Sequence, residues 1–118
     1  MDWLDHEYLV PIIIGNSKEA LSIAKKLKRF THKKAIFFAD KSNVLMRSFC
    51  KFRKIAPFRK EFLLSSLTHF ADELEDYEFP VLIYGDDTAD LILDDLELLE
   101  SRFLVVSFET ARTLIFGG

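Results

Sequence analysis

The sequence predicts an α/β protein, because five short apolar segments alternate with four or five helical patterns, the arrangement of a parallel sheet wrapped by helices. The first junction points the same way. A buried-looking strand, Leu9-Val10-Pro11-Ile12-Ile13-Ile14, runs through Gly15-Asn16-Ser17 straight into an amphipathic helix. Such a junction places free backbone N–H groups and the positive end of a helix dipole at the carboxyl edge of a sheet, where ligands of open α/β sheets bind.

Each element has its own signal. Strand one is Val10–Ile14, with Pro11 near its start, where a missing donor is tolerated even in an interior strand. Residues 1–8 precede it as an N-terminal extension. Helix one spans about Ser17 to Phe30; Ala20, Leu21, Ile23, Ala24 and Leu27 form its inner stripe, while Lys18, Lys25, Lys28 and Arg29 face out. Asn16 followed three residues later by Glu19 reads as a capping box. Strand two is Ala35–Ala39, ending at Asp40, and a second helix covers about Ser42 to Phe49. A short third strand is expected near Lys54-Ile55-Ala56, closed by Pro57. Helix three, about Lys60 to Asp76, carries Leu63, Leu67, Phe70, Ala71 and Leu74 at helical spacing. Strand four is Val81–Tyr84; after Gly85-Asp86-Asp87-Thr88 comes a helix containing Leu91, Ile92, Leu96 and Leu99. Strand five is Phe103–Val106, and Ser107 caps a last short helix that stops before Gly117-Gly118.

Right-handed crossovers make the simplest layout a doubly wound sheet of order 3-2-1-4-5. The expected fold is thus a Rossmann-like three-layer α/β/α sandwich with a mainly parallel five-stranded sheet, one domain over residues 1–118. Strand order reverses between strands one and four. The loops Gly15-Asn16-Ser17 and Gly85-Asp86-Asp87 therefore flank the ligand crevice, with Asp40 as its third wall.

Composition fits a soluble globular chain: 49% of residues are hydrophobic, 30% are charged, and twelve Phe supply large core side chains. The single Cys50 has no partner for an internal disulfide and no spacing that suggests a metal site, so it reads as a buried, inert thiol. No apolar run approaches the roughly 18 residues of a membrane span, and the N-terminus has acids where a signal peptide needs basic residues. The expectation is a cytoplasmic protein without membrane contact.

The net charge of −3 conceals an asymmetry. Residues 1–60 hold fourteen Lys/Arg against five Asp/Glu, and residues 61–118 hold two against fourteen, leaving +9 and −12. The basic residues are spread over three elements without interleaved exposed aromatics or a binding motif, which argues against nucleic acid. The plainer reading of the asymmetry is solvated helix faces; the other is docking to a partner or neighbouring domain of matched polarity, a homodimer included.

The crevice loops exclude several chemistries. A dinucleotide fingerprint needs three glycines, and Gly15-Asn16-Ser17-Lys18-Glu19-Ala20 has only the first, although Asp40 stands where an acid would bind a ribose hydroxyl. No P-loop is present. Receiver domains need acids at the end of strand one and an Asp after strand three, and Gly15-Asn16 and Pro57-Phe58 do not supply them. Asp86 and Asp87 are expected to cap and favour the start of the following helix rather than bind a metal. Asp94 and Asp95 belong to a solvated helix face. His6, His32 and His69 are scattered, and no Ser, Cys or acid completes a triad with them. No catalytic set is therefore expected.

The run Val10-Pro11-Ile12-Ile13-Ile14-Gly15-Asn16-Ser17-Lys18-Glu19-Ala20-Leu21 through Leu27, followed by Ala35-Ile36-Phe37-Phe38-Ala39-Asp40, resembles the opening of ATP-grasp carboxylate–amine ligases. The likeness continues through Phe52 to Pro57, Glu61–Asp76, Pro80-Val81-Leu82-Ile83, the Gly85–Thr88 loop and Phe103–Ser107, with the D-aspartate ligase and carbamoyl-phosphate synthase-like groups nearest. It implies the non-catalytic pre-ATP-grasp domain, which packs against an ATP-grasp module in cis and helps shape the pocket for a small carboxylate or amine substrate. By position it implies substrate contacts from Gly15, Asn16 and Ser17 and from Asp86 and Asp87. In that family the groups that hold ATP and Mg belong to the later module, so no cofactor is expected on residues 1–118. Departing from relatives with two or three glycines, the first loop has one.

Overall fold

The structure, a computed structural model, describes residues 3–116. Its five parallel strands are β1 (Leu9–Ile14), β2 (Ala35–Ala39), β3 (Cys50–Lys54), β4 (Phe79–Tyr84) and β5 (Leu104–Ser107), in the order β3-β2-β1-β4-β5. Six helices connect and cover them: α1 (Lys18–Thr31), α2 (Val44–Phe49), α3 (Lys60–Glu73), α4 (Ala89–Leu93), α5 (Leu96–Glu100) and α6 (Phe108–Ile115). The result is the expected Rossmann-like three-layer sandwich.

Alternation along each strand sends side chains to two cores. Ile13, Phe37, Val81, Ile83 and Val106 face the layer of α1, α2 and α6, where Ile23, Leu27, Met46, Phe108 and Ile115 meet them. Ile12, Ile14, Phe38 and Leu82 face the layer of α3, α4 and α5, against Leu63, Leu67, Phe70, Ile92 and Leu99. Aromatic pairs tie both cores to the sheet: Phe37 and Phe52 lie 4.9 Å apart, and Phe38 and Phe70 meet edge to face at 5.8 Å.

The two strand prolines sit where the sheet does not need their missing donors. The Gly15 amide donates to Phe38 O on β2, so by alternation Pro11 also points its nitrogen toward β2. Pairing of β1 with β2 starts only at Ile12. Likewise the Phe79 amide donates to Tyr8 O on the β1 side, which turns Pro80 toward β5, and that ladder starts only at Val81. Both prolines are thus accommodated in interior strands.

Several boundaries differ from the sequence expectation. The third strand is Cys50–Lys54, not Lys54-Ile55-Ala56. Its Lys51, Arg53 and Lys54 are exposed on a sheet edge and mask the pattern, while Cys50 and Phe52 turn inward. Such charges also discourage edge-to-edge association. Ile55 leaves the ladder but donates its amide to Ala39 O, and the Ala56-Pro57 peptide is cis. Helix α3 stops at Glu73 rather than Asp76. The helix expected after Thr88 is split at Asp94-Asp95 into α4 and α5. Asp is a weak helix former, and Lys60 Nζ draws both carboxylates, at 3.3 Å from Asp94 and 3.4 Å from Asp95. Asp94 is exposed, but Asp95 is not part of a solvated face: its Oδ2 is buried, with Lys60 as countercharge.

The N-terminal extension is docked. Residues Trp3–Asp5 form a 3-10 turn, Trp3 and Leu4 pack on the first core, and His6 stacks on Phe79 at 4.5 Å. Gly117-Gly118, the expected stop of the last helix, lie outside the described residues. Ser107 caps α6 as expected, its Oγ accepting from the Thr110 amide.

Gly85 is required by packing rather than by backbone conformation. A Cβ there would lie 2.7 Å from two ring carbons of Phe108, the first residue of α6. Gly85→Ala should therefore cost about 1–3 kcal/mol of stability through overpacking, read as a lower urea midpoint with an unchanged slope. An unchanged midpoint would show that the Phe108 ring moves aside freely.

Candidate functional site

The crevice forms where the strand order turns, between the ends of β1 and β4. Gly15 has φ +93°, a conformation that side chains rarely adopt, and this lets the chain leave β1 sharply while its amide still completes the ladder to Phe38 O at 2.8 Å. Ser17 then caps α1: its Oγ accepts from the Ala20 amide at 3.1 Å. This corrects the capping-box expectation for Asn16 and Glu19. Glu19 instead pairs with Arg112 on α6, and Asn16 turns away from the helix.

Asn16 binds the neighbouring loop. Its Nδ2 donates to Lys41 O at 2.8 Å, and the Asn43 side chain donates back to Asn16 O at 3.4 Å. Asn43 also caps α2 by accepting from the amides of Leu45 and Met46. The loops after β1 and β2 are thereby stitched together beside Asp40, which is exposed at the end of β2. The sequence places Asn43 ahead of a helix, the usual capping signal; its second bond, to a loop 27 residues away, has no local signature.

Across the crevice, Asp86 and Asp87 open a 3-10 turn, Asp86–Thr88. Neither caps the following helix, contrary to expectation, since no side-chain bond closes the start of the turn or of α4. Buried Thr88 holds the turn instead, its amide and hydroxyl both donating to Gly85 O at 3.1 and 3.3 Å. Asp87 leans toward β1, with Oδ2 3.8 Å from the point where a side chain on Gly15 would begin. A carboxylate is favoured there by the positive end of the α1 dipole. The structure thus brings Gly15 and Asp87 together and joins Asn16 to the β2 loop, while Ser17 serves the helix.

At the rim Asp40, Asp86 and Asp87 are exposed, and so are Lys41 beside Asp40 and Lys18 at the start of α1. The carboxylates can accept hydrogen bonds from amine or hydroxyl donors. Among the described residues no group of three or more His, Cys, Asp or Glu could hold a metal ion, and His6, His32 and His69 are exposed. His32 ends α1 in the left-handed conformation, φ 59°. No described helix is long and apolar enough to cross a membrane.

The charged surface is sorted by layer. Helices α1, α2 and α6 carry seven Lys/Arg against two acids; α3 together with residues 89–100 carries one Lys against eight acids. Aromatics do interleave with the basic residues, which corrects the sequence reading. Lys25 and Lys28 lie over the Phe49 ring at 5.6 and 5.9 Å, and Lys26 over Phe116 at 5.2 Å. Packing of distant segments makes these pairs, so no local motif announces them.

The fold defines a Rossmann-like α/β domain. Comparison with known protein families, curated proteins and solved structures gives no match.

Cys50 is buried in the first core, and burial pushes its thiol up to about 12 from an ordinary 9.0, with Lys34 opposing the shift. The folded state therefore favours the protonated thiol. Its contribution to stability is whole below pH 9 and is lost as pH rises from 9 toward 12. The stability advantage of the wild type over Cys50→Ala should accordingly shrink above pH 9, measured by urea unfolding at successive pH values. A constant difference would show that the thiol ionises in place.

Proposed function

We propose that the chain is the non-catalytic N-terminal domain of an ATP-grasp-type carboxylate–amine ligase, supplying one wall of the pocket for a small carboxylate or amine substrate. The observation that carries this reading is the division of labour in the crevice. Ser17 and Asn16 are committed to the helix cap and the loop stitch, while Asp40, Asp86 and Asp87 stay free at the rim. Three exposed carboxylates suit recognition of a hydrogen-bond donor such as an amine. ATP and Mg belong, in this reading, to an ATP-grasp module packed against the domain. The resemblance at Val10–Leu27 and the strand order of the sheet agree with it.

A second reading has a separate observation behind it. The sorting of basic and acidic residues onto opposite layers supports a stand-alone docking module whose partner is recognised by charge.

The first reading is tested by the isolated domain and by the coding sequence around it. Mg-ATP should leave the amide spectrum of the domain unmoved, with no nucleotide hydrolysed. An ATP-grasp module in the same frame, active in ligation and slowed by Asp87→Ala through a raised KM for its amine substrate, supports the proposal. Saturable ATP turnover by residues 1–118 alone overturns it.

A further inference from the structure

The two helical layers differ in shape as well as charge. On the basic layer α1 stands as a ridge between two shallow grooves. One is lined by Lys25, Lys28, Arg29 and Phe49, the other by Lys18, Lys26 and Phe116 among others. Among the described residues, Lys18, Lys25, Lys26, Lys28 and Arg29 pair with no carboxylate. On the acidic layer a groove of about 920 Å³ runs between α3 and α5; Lys60, Glu61, Leu64, His69 and Leu98 are among its lining residues, with Asp95 paired to Lys60 and Asp72 to Arg102. Large apolar side chains are exposed on both layers: Val44, Leu45 and Phe116 on the basic one, and Phe62, Leu93 and Leu98 on the acidic one.

We propose that the domain associates head to tail with a second copy of itself, the α1 ridge of one molecule seated in the α3–α5 groove of the next. Charge complementarity selects this occupant, because each molecule carries both the unpaired cations and, at Glu61 on α3 and Glu97 and Glu100 on α5, acids that no described cation of its own pairs. Size permits it. With extents of 34 × 31 × 24 Å, one face projects roughly 700–1,000 Å², close to the ~800 Å² that each partner gives to a standard interface. A polyanion such as single-stranded nucleic acid fits less well, for two reasons. Phe49 is half-buried with two lysine ammonium groups over its ring, and the exposed Phe116 has one, so neither is a bare stacking platform. The acidic layer of the same molecule also repels a polyanion. Since the ridge and the groove are different surfaces, the contact is heterologous and propagates unless a rotation closes it. This contact goes beyond the pocket-wall reading, and its failure leaves that reading standing.

Sedimentation of the whole chain at low and high salt tests the proposal. The wild type should self-associate at about 50 mM salt and dissociate at about 500 mM, where screening shortens to a few ångströms. K25Q/K28Q/R29Q should be monomeric alone, and so should E61Q/E97Q/E100Q, each with an unchanged melting temperature as proof of folding. An equal mixture of the two should give a one-to-one dimer and nothing larger, because each variant retains one competent face. A monomeric wild type at low salt overturns the proposal, as does association that survives loss of one face. A wild type that stays monomeric yet binds an oligothymidylate probe or phosphatidylserine vesicles through its lysines overturns it as well, and reassigns the ridge to that ligand.

Discussion

The fold depends on the burial of β1 on both faces. Ile12, Ile13 and Ile14 are fully inaccessible, with the first and third in one core and the second in the other. Each such side chain contributes about 1.5–3 kcal/mol by leaving water, and no edge strand has a comparable run. A strand of this kind is stable only at the centre of a sheet with helices on both faces. Once it is central, β2 and β4 become its neighbours and the strand order turns at its carboxyl end. The crevice is therefore a consequence of where the most apolar strand must lie.

That consequence reaches the site through the backbone. The ladder from β1 to β2 does not stop at Ile14 but continues to the Gly15 amide, so the first crevice loop begins as part of the sheet. Asn16 and Asn43 extend the same connection into the loop after β2. Thr88 and the close approach of Phe108 to Gly85 fix the opposite wall. The exposed carboxylates Asp40, Asp86 and Asp87 are thus mounted on loops held by these bonds. The opposite charges of the two outer layers follow from α1 and α2 lying on one side of the sheet and α3, α4 and α5 on the other.

Most of this architecture was legible because apolar periodicity is a local signal. Strand order, the two layers and the placement of Gly15, Asp86 and Asp87 at the switch point all followed from it. The misreadings share a physical cause: long-range partners overrode local preference. Lys51, Arg53 and Lys54 look like a charged loop until β2 pairs with them. Asp94-Asp95 interrupts a helix because Lys60, 34 residues away from Asp94, holds both acids. Asn16 has the right spacing for a capping box, yet Ser17 reaches the Ala20 amide and frees Asn16 to bind Lys41 O. The aromatic-lined basic ridge was invisible because Phe49 and Phe116 meet α1 only through packing.

Native-state hydrogen exchange at Gly15 measures the central claim most directly, because it asks whether the crevice is sheet or loop. The account predicts that the Gly15 amide, bonded to Phe38 O, exchanges with the same opening free energy as the Ile13 amide, which is that of global unfolding. A Gly15 amide that exchanges through small local openings while Ile13 remains protected would contradict it. The crevice would then be a mobile loop appended to the sheet, not an extension of its central strand.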